Sequence, residues 1–175
     1  MAKLGDEADL IVEQVVADVS GAYWHVPLHP AERPYQVATF RGRFIIFLRT
    51  GQGAKASSLT WGLLSATFGR LIQSLFHESE LRLQIYTDDP LAAIAGTQRE
   101  RDRLTATLFS AWLIIGAKLA FHKASRGIDS VWIGARFLIR PDSVQAQVKP
   151  EMVEEVSGIV NALFTTAVLY YRRGE

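Results

Sequence analysis

Tyr86-Thr87-Asp88-Asp89 places two adjacent carboxylates directly after an alternating segment, Leu81 to Tyr86. Adjacent carboxylates at a strand end are costly unless they are solvated, paired or bound to a cation. A tight turn between two strands would hold both near one point. A third carboxylate, Asp18, ends another apolar run, Leu10 to Ala17. If those strands are neighbours, Asp18 and Asp88 can share hard divalent cations, which prefer oxygen ligands. Two such ions, about 3.5–4 Å apart, activate an attacking hydroxyl and stabilise a leaving phosphate oxygen. An Asp-Asp pair by itself reads more simply as a turn, so the surrounding sequence has to decide.

The elements that would position these residues follow from periodicity and breakers. Leu10 to Ala17 reads as a buried strand, with a helix as the alternative. Asp18 to Pro34 contains Pro27, Pro30 and Pro34 and reads as turns and short pieces. Tyr35 to Phe40 and Phe44 to Arg49 read as two strands joined by a turn at Arg41-Gly42-Arg43. Ser57 to Phe76 reads as a helix capped by Ser57 or Ser58. Its apolar stripe is Leu59, Leu63, Leu64, Phe68, Leu71, Ile72 and Leu75. A second strip, Gly62, Ser65, Ala66 and Gly69, is small enough to admit a sheet or ligand close to the helix backbone.

Pro90 lacks an N–H, so a strand after the acidic pair should start there. Thr97 to Ile115 reads as a helix with capping-box spacing at Thr97 and Glu100. Its core stripe is Leu104, Leu108, Ala111, Trp112 and Ile115, and Gly116 suits the position after its end. Lys118 to Lys123 and Ser130 to Ile139 read as a further hairpin. Pro150 to Phe164 reads as an amphipathic helix with Met152, Val153, Val156, Val160 and Leu163 inward. Ala167 to Glu175 reads as strand-like and then basic. Strands in pairs with helices between them predict an α+β fold, an antiparallel sheet with helices packed on one face.

Bulk properties narrow the function classes. The 175 residues suit one compact domain, and 49% are apolar, enough for a core. The absence of cysteine excludes disulfides, thiolate zinc sites and a cysteine nucleophile. Met1 to Asp9 is polar and acidic, unlike a secretory leader. The longest apolar run, Ala111 to Phe121, holds Gly116 and Lys118 and is too short to span a membrane. An intracellular protein without membrane partners is the expectation. Between Arg33 and His77 stand Arg33, Arg41, Arg43, Arg49, Lys55 and Arg70, with no Asp or Glu. A field of one sign attracts polyanions such as nucleic acid; the plainer alternative is a solvated basic face.

The ordered set of motifs resembles the reverse transcriptase family. Asp18-Val-Ser-Gly-Ala-Tyr23 followed by Val26-Pro27-Leu28 is similar to that family's first conserved block. Gly53 to Ser58 resembles the block opening its long palm helix, and Tyr86 to Asp89 its Tyr-x-Asp-Asp box. Gly116 to Lys123 resembles its fourth block, and Val131-Trp132-Ile133-Gly134 its primer-grip hairpin. The likeness runs from Val15 to Phe137 and is nearest to retroelements of the long-terminal-repeat kind. It departs at Ser58, where proline is usual, at Gly51-Gln52, and at Pro90.

What the resemblance implies is specific. Residues 1–147 would be a ferredoxin-like palm with part of the fingers. Residues 148–175 would begin a thumb or connection region. Fingers and thumb would be largely missing, as in a segment of a retroelement polyprotein. Asp18 and Asp88, with Asp89 beside them, would bind two Mg²⁺ ions, Mn²⁺ being a substitute. Lys123 would be the general acid for pyrophosphate. Tyr23 would lie under the sugar of the incoming deoxynucleoside triphosphate, and Gln52 and Gly53 would line its pocket. Trp132 and Gly134 would hold the primer end of an RNA/DNA primer–template. Arg33, Arg41, Arg43, Arg49 and Lys55 would contact phosphates.

Two other classes fit parts of the sequence. Gly51-Gln52-Gly53-Ala54-Lys55-Ala56 matches the Gly-x-Gly-x-x-Ala dinucleotide fingerprint, which expects an acid about 20 residues on, ending the next strand. The next predicted strand ends much later, at Asp88. A parallel Leu81 strand beside the Phe44 strand would support that reading, and a hairpin with Asp88 at its turn would end it. The other class is a non-catalytic remnant that binds nucleic acid or a protein. His25 and His29 are separated by Pro27, which argues against one helical face presenting both to zinc. Trp24, Trp61, Trp112 and Trp132 read as core or groove packing in preference to base-stacking platforms.

Overall fold

The computed structural model describes residues 11–172, with side chains through residue 164. The leader reading of Met1 to Asp9 and the end of the basic tail, Arg173 to Glu175, lie outside the described residues. Ile11–Val16 forms β1. Leu81–Tyr86 and Asp89–Gly96 form β4 and β5, a hairpin whose turn is Thr87-Asp88. With Ser125–Gly127 (β6) they make an antiparallel sheet in the order β4-β5-β1-β6. The remaining strands stand apart. Val37–Phe40 and Arg43–Ile46 (β2 and β3) pair as a hairpin. Asp129–Trp132, Ala135–Arg140 and Ser143–Val148 (β7, β8 and β9) form a three-stranded sheet.

Two helices, Ser57–Gln73 (α1) and Gln98–Ile114 (α2), cover the four-stranded sheet. The pairing register explains which strand residues meet them. Leu81 lies opposite Ile94, which lies opposite Glu13; Leu83, Ala92 and Val15 form the next rung. Val15, Leu81, Ala92 and Ile94 bury against Trp61 and Ile72 of α1 and Leu104, Leu108, Ala111 and Trp112 of α2. Each such large apolar side chain contributes about 1.5–3 kcal/mol on burial. Glu13 falls on this helix-facing side, and buried Arg101 of α2 answers it with an ion pair at 3.2 Å. Arg126 of β6 bonds Glu13 at 2.6 Å and Asp102 at 2.6 Å, tying β1, β6 and α2 together.

The strip of small residues on α1 does what its size suggests at Gly69, where an added Cβ would stand 2.5 Å from Ile85 Cδ1. Beside it, the Gln73 amide donates to the Leu81 carbonyl at 2.9 Å and accepts from the Leu83 N–H at 2.7 Å. It thus covers part of the free edge of β4 as a neighbouring strand would.

Several expectations are corrected. The α1 N-cap is Ala56, with no side-chain capping bond, because the Ser57 hydroxyl is buried under the helix without a partner. The α1 core face is Ser57, Trp61, Ser65 and Ile72, whereas Leu59, Leu63, Leu71 and Leu75 are exposed. The polar character of Ser57 and Ser65 hid that face from a reading by hydropathy. Lys118 to Lys123 is not a strand. It makes one bridge, Leu119 to Val19, and then a 3-10 turn at Phe121–Lys123. The hairpin at Ser130 to Ile139 is β7–β8, extended by β9 where no strand was expected.

The C-terminal helix (α3) spans Pro150–Arg172, so Ala167 onward is helical, not strand-like. Met152, Val153, Val156, Val160 and Leu163 do not point inward; they are 41–65% exposed. Among the described residues, no helix is long and apolar enough to cross a membrane. The antiparallel β4–β5 hairpin, with Asp88 in its turn and β3 in a different sheet, excludes the dinucleotide-binding arrangement.

Candidate active site

Asp18 follows β1 at the end of the sheet where the β4–β5 turn presents Asp88 and Asp89. Beyond Val16 the backbone keeps to the ladder. Ala17 N–H donates to the Pro90 carbonyl at 3.0 Å, and Val19 N–H donates to the Asp88 carbonyl at 2.8 Å. The acidic turn is thereby hydrogen-bonded to the residue after Asp18. Pro90 fits this design, since its carbonyl serves the ladder and its missing N–H is not needed; β5 begins one residue before it. Thr87 adopts φ 55°, a left-handed conformation uncommon for threonine. Its carbonyl accepts the Trp61 indole N–H at 2.9 Å, so the α1 core tryptophan holds the turn from behind. Nothing in the sequence around Trp61 signalled that contact.

On the other side of Asp18 lies the segment after α2. Ala120 N–H donates to the Asp18 carbonyl at 2.8 Å, and Ser20 N–H donates to the Lys118 carbonyl at 2.7 Å. Val16 lies opposite Ser125 while Val19 lies opposite Leu119, so three steps along one strand face six along the other. The 3-10 turn at Phe121–Lys123 absorbs the difference. It returns the Lys123 ammonium to Asp18 Oδ2 at 2.8 Å.

Charge crowding marks this end of the sheet. Partial burial, then the neighbouring Asp88 and Asp18 carboxylates, push the Asp89 carboxyl above the ordinary aspartate value, with Lys123 opposing. The bond to Asp18 and the surrounding acids push the Lys123 ammonium up, so it keeps its proton. Oxygen donors of this kind suit a hard divalent cation. Among the described residues, however, no three His, Asp or Glu side chains are gathered closely enough to hold an ion, and Asp18 is engaged by Lys123. The donor chemistry suits Mg²⁺, but the side chains would have to close around it.

The other expected site residues divide. Trp132 donates its indole N–H to the Asp89 carbonyl at 3.0 Å, which ties β7 to the acidic turn. Gly134 sits in the β7–β8 turn with φ 83°, following Ile133 with φ 45°. Tyr23 lies in a short 3-10 helix, Ala22–His25, and packs half-buried against the core. Gln52 and Gly53 line a shallow cleft of about 420 Å³ with Trp24 and Phe47, and Tyr23 is not part of that lining. Lys55 lines another, with Val26 and Glu32.

Arg41 forms the β2–β3 turn with Gly42, its guanidinium 5.1 Å from the Phe40 ring, and Arg43 opens β3. Arg49 donates to the carbonyls of Trp24 and His25, each at 3.2 Å. Arg33 lies in the 3-10 helix Pro30–Tyr35. Among the described residues, none of Arg33, Arg41, Arg43, Arg49 and Lys55 makes an ion pair.

No family model matches the chain, and no curated protein sequence matches it. Solved structures do. A foamy viral protease-reverse transcriptase in complex with an RNA/DNA hybrid matches with TM-score 0.67 at 15% identity, over 83% of this chain and 18% of its own. The foamy viral protease-reverse transcriptase dRH in complex with double-stranded DNA matches with TM-score 0.65 at 14% identity, over 85% and 25%. The native Prototype Foamy Virus protease-reverse transcriptase gives 0.62 at 15%, over 85% and 20%. The chain therefore spans a quarter or less of the length of these neighbours, and it has a reverse-transcriptase-like fold, an antiparallel palm-like sheet with its helices.

Proposed function

We propose that this chain is the palm of an RNA-directed DNA polymerase, the part that performs nucleotidyl transfer. The observation that carries the reading is the assembly of Asp18, Asp88, Asp89 and Lys123 at one sheet end, with the acidic turn hydrogen-bonded to the Asp18 strand. Residues 1–147 are assigned to the palm with part of the fingers, and 148–175 to the start of a thumb or connection region. Asp18 and Asp88, with Asp89, would hold two Mg²⁺ ions. When bound, such ions lower the barrier by activating the primer hydroxyl and neutralising phosphate charge.

The protein's own residues supply position and protons. Trp61 and Trp132 fix the two carbonyls of the acidic turn, which orients Asp88 and Asp89 before substrate arrives. Lys123 keeps its proton beside Asp18 and would donate it to the departing pyrophosphate. Tyr23 would stand beside the sugar and exclude a 2′-hydroxyl, and Gln52 and Gly53, whose cleft Tyr23 does not line, would contact another part of the nucleotide. The β7–β8 hairpin, through Trp132 and Gly134, holds the primer end. The cations Arg33, Arg41, Arg43, Arg49 and Lys55, which make no ion pair among the described residues, would attract the phosphates of a primer–template. Two of the solved neighbours are complexes with an RNA/DNA hybrid and with double-stranded DNA, which supports nucleic acid as partner. Deoxynucleoside triphosphates are the second substrate, and flanking polyprotein segments would complete the enzyme.

Primer extension tests this. Positioning accounts for roughly 7–11 kcal/mol of such a barrier, so a palm alone should extend poorly. Joined to fingers and thumb of a related retroelement enzyme, the chain should extend a primer with Mg²⁺, and Asp88→Ala should abolish extension. A joined protein that extends equally well with Asp88→Ala would defeat the proposal. One observation favours the second reading, a non-catalytic remnant that binds nucleic acid: Asp18 is engaged by Lys123, and among the described residues no three acidic side chains converge. That reading expects salt-sensitive primer–template binding with no extension in any joined form.

A further inference from the structure

A cleft of about 740 Å³ opens beside the acidic end of the sheet, between the 3-10 helix Ala22–His25, α1 and the segment following α2. None of Asp18, Asp88, Asp89, Tyr23, Gln52 and Gly53 lines it. Its apolar walls are Trp24, Trp61, Leu64 and Phe68. Its charged groups are Arg49 and Lys118, and no carboxylate lines it. Neither cation makes an ion pair among the described residues. Arg49 is oriented by its bonds to the Trp24 and His25 carbonyls. His25 is also part of the wall, and its Nε2 is buried without a hydrogen-bond partner. A buried polar atom left in that state calls for a partner that the folded chain does not provide.

We propose that this cleft binds a planar aromatic acid, a ring system bearing one carboxylate or phosphate. Its size falls within the range that holds small organic ligands, about 300–1,000 Å³. The exposed Trp24 indole supplies flat apolar surface for a ring, with half-buried Leu64 and Phe68 beside it and buried Trp61 behind. Arg49 and Lys118 supply positive charge with no internal acid to compete for it. Trp61, 1% exposed, makes the floor of the cleft rigid, because its N–H is held by the Thr87 carbonyl and its ring cannot swing away without breaking that bond.

The test uses the full ¹⁵N-labelled chain with 2-naphthoate as the probe, and no divalent ion, nucleotide or nucleic acid. The four tryptophan indole N–H signals are assigned by single Trp→Phe variants. The expected result is saturable movement of the Trp24 and Trp61 signals, with Trp112 and Trp132 unmoved. The neutral analogue 2-naphthalenemethanol should bind more weakly. Lys118→Ala, a change at an exposed side chain, should weaken naphthoate about threefold and leave the neutral analogue unchanged. Leu64→Trp, which fills the cleft, should remove binding.

Loss of signal dispersion in Leu64→Trp would mean a folding failure in that variant, and Lys118→Ala then decides alone. Equal movement of all four indoles, no movement at all, or a naphthoate affinity indifferent to Lys118→Ala would each overturn the proposal. Asp88→Ala should bind naphthoate normally, so the outcome does not depend on polymerase activity.

Discussion

The Lys123 ammonium lies 2.8 Å from Asp18 Oδ2, so one of the three carboxylates at this end of the sheet already has a cation. A divalent ion binding there must displace or share it. Lys123→Met should therefore tighten Mn²⁺ binding, by about fivefold at low salt and less as salt screens the charge. In a completed polymerase the same change should slow extension if Lys123 is the proposed proton donor. Tighter metal binding with unaltered extension would remove Lys123 from the chemistry and leave it as a counter-charge only.

Trp61 and Trp112 are both 1% exposed, yet they differ in one respect. The Trp61 N–H reaches the Thr87 carbonyl, whereas the Trp112 N–H is buried without a partner. Replacement by phenylalanine removes similar packing at both sites but strands a carbonyl only at Trp61. Urea unfolding should show Trp61→Phe to be less stable than Trp112→Phe by about 1–3 kcal/mol. Equal losses would mean that the Thr87 bond contributes nothing to holding the acidic turn.

The α2 capping box gives a pH signature. The Thr97 N–H, and then its hydroxyl, hold the Glu100 carboxyl below its ordinary value of 4.5. Because the folded value is depressed, the contribution is complete above about pH 4.5 and is lost as pH falls through the folded value. Glu100→Gln should flatten that part of the stability–pH profile. Thr97→Ala should cost about 1 kcal/mol at neutral pH. Circular dichroism melts of the two variants between pH 3 and pH 7 check both statements, and an unchanged slope in Glu100→Gln would refute the assignment.

Tyr23 is five residues past Asp18 and packs half-buried against the core, which limits its freedom to move aside. In a completed polymerase, Tyr23→Ala should admit ribonucleotides that the parent rejects. Competition between dNTP and rNTP in single-nucleotide extension measures this. Equal use of both sugars by the parent would remove the gating role from Tyr23.

The placement of the acidic residues was legible where chemistry and local pattern coincide. Asp18 and Asp88 come just after β1 and β4 and Asp89 opens β5, and a hairpin turn at Thr87-Asp88 is what the alternation before it and Pro90 after it require. The α2 capping box and its buried stripe were equally local. What escaped depends on contacts between distant segments. The α1 core face runs through two serines and a tryptophan that hydropathy does not group together, and the bonds of Trp61 to Thr87 and Trp132 to Asp89 cross from other elements. The apolar face of α3 shows the reverse failure: its periodicity is real, but Met152, Val153, Val156, Val160 and Leu163 stay exposed, so amphipathicity misreported burial.

Divalent-cation binding by the carboxylates is the most direct test of the central claim. Mn²⁺ titration of the full chain, followed by electron paramagnetic resonance of the free ion, should show binding that Mg²⁺ competes away. Asp18→Ala and Asp88→Ala should each weaken it at least about tenfold, since each removes an anionic oxygen ligand. Mn²⁺ affinity unchanged in both variants would contradict the account, because Asp18 and Asp88 would then share no ion.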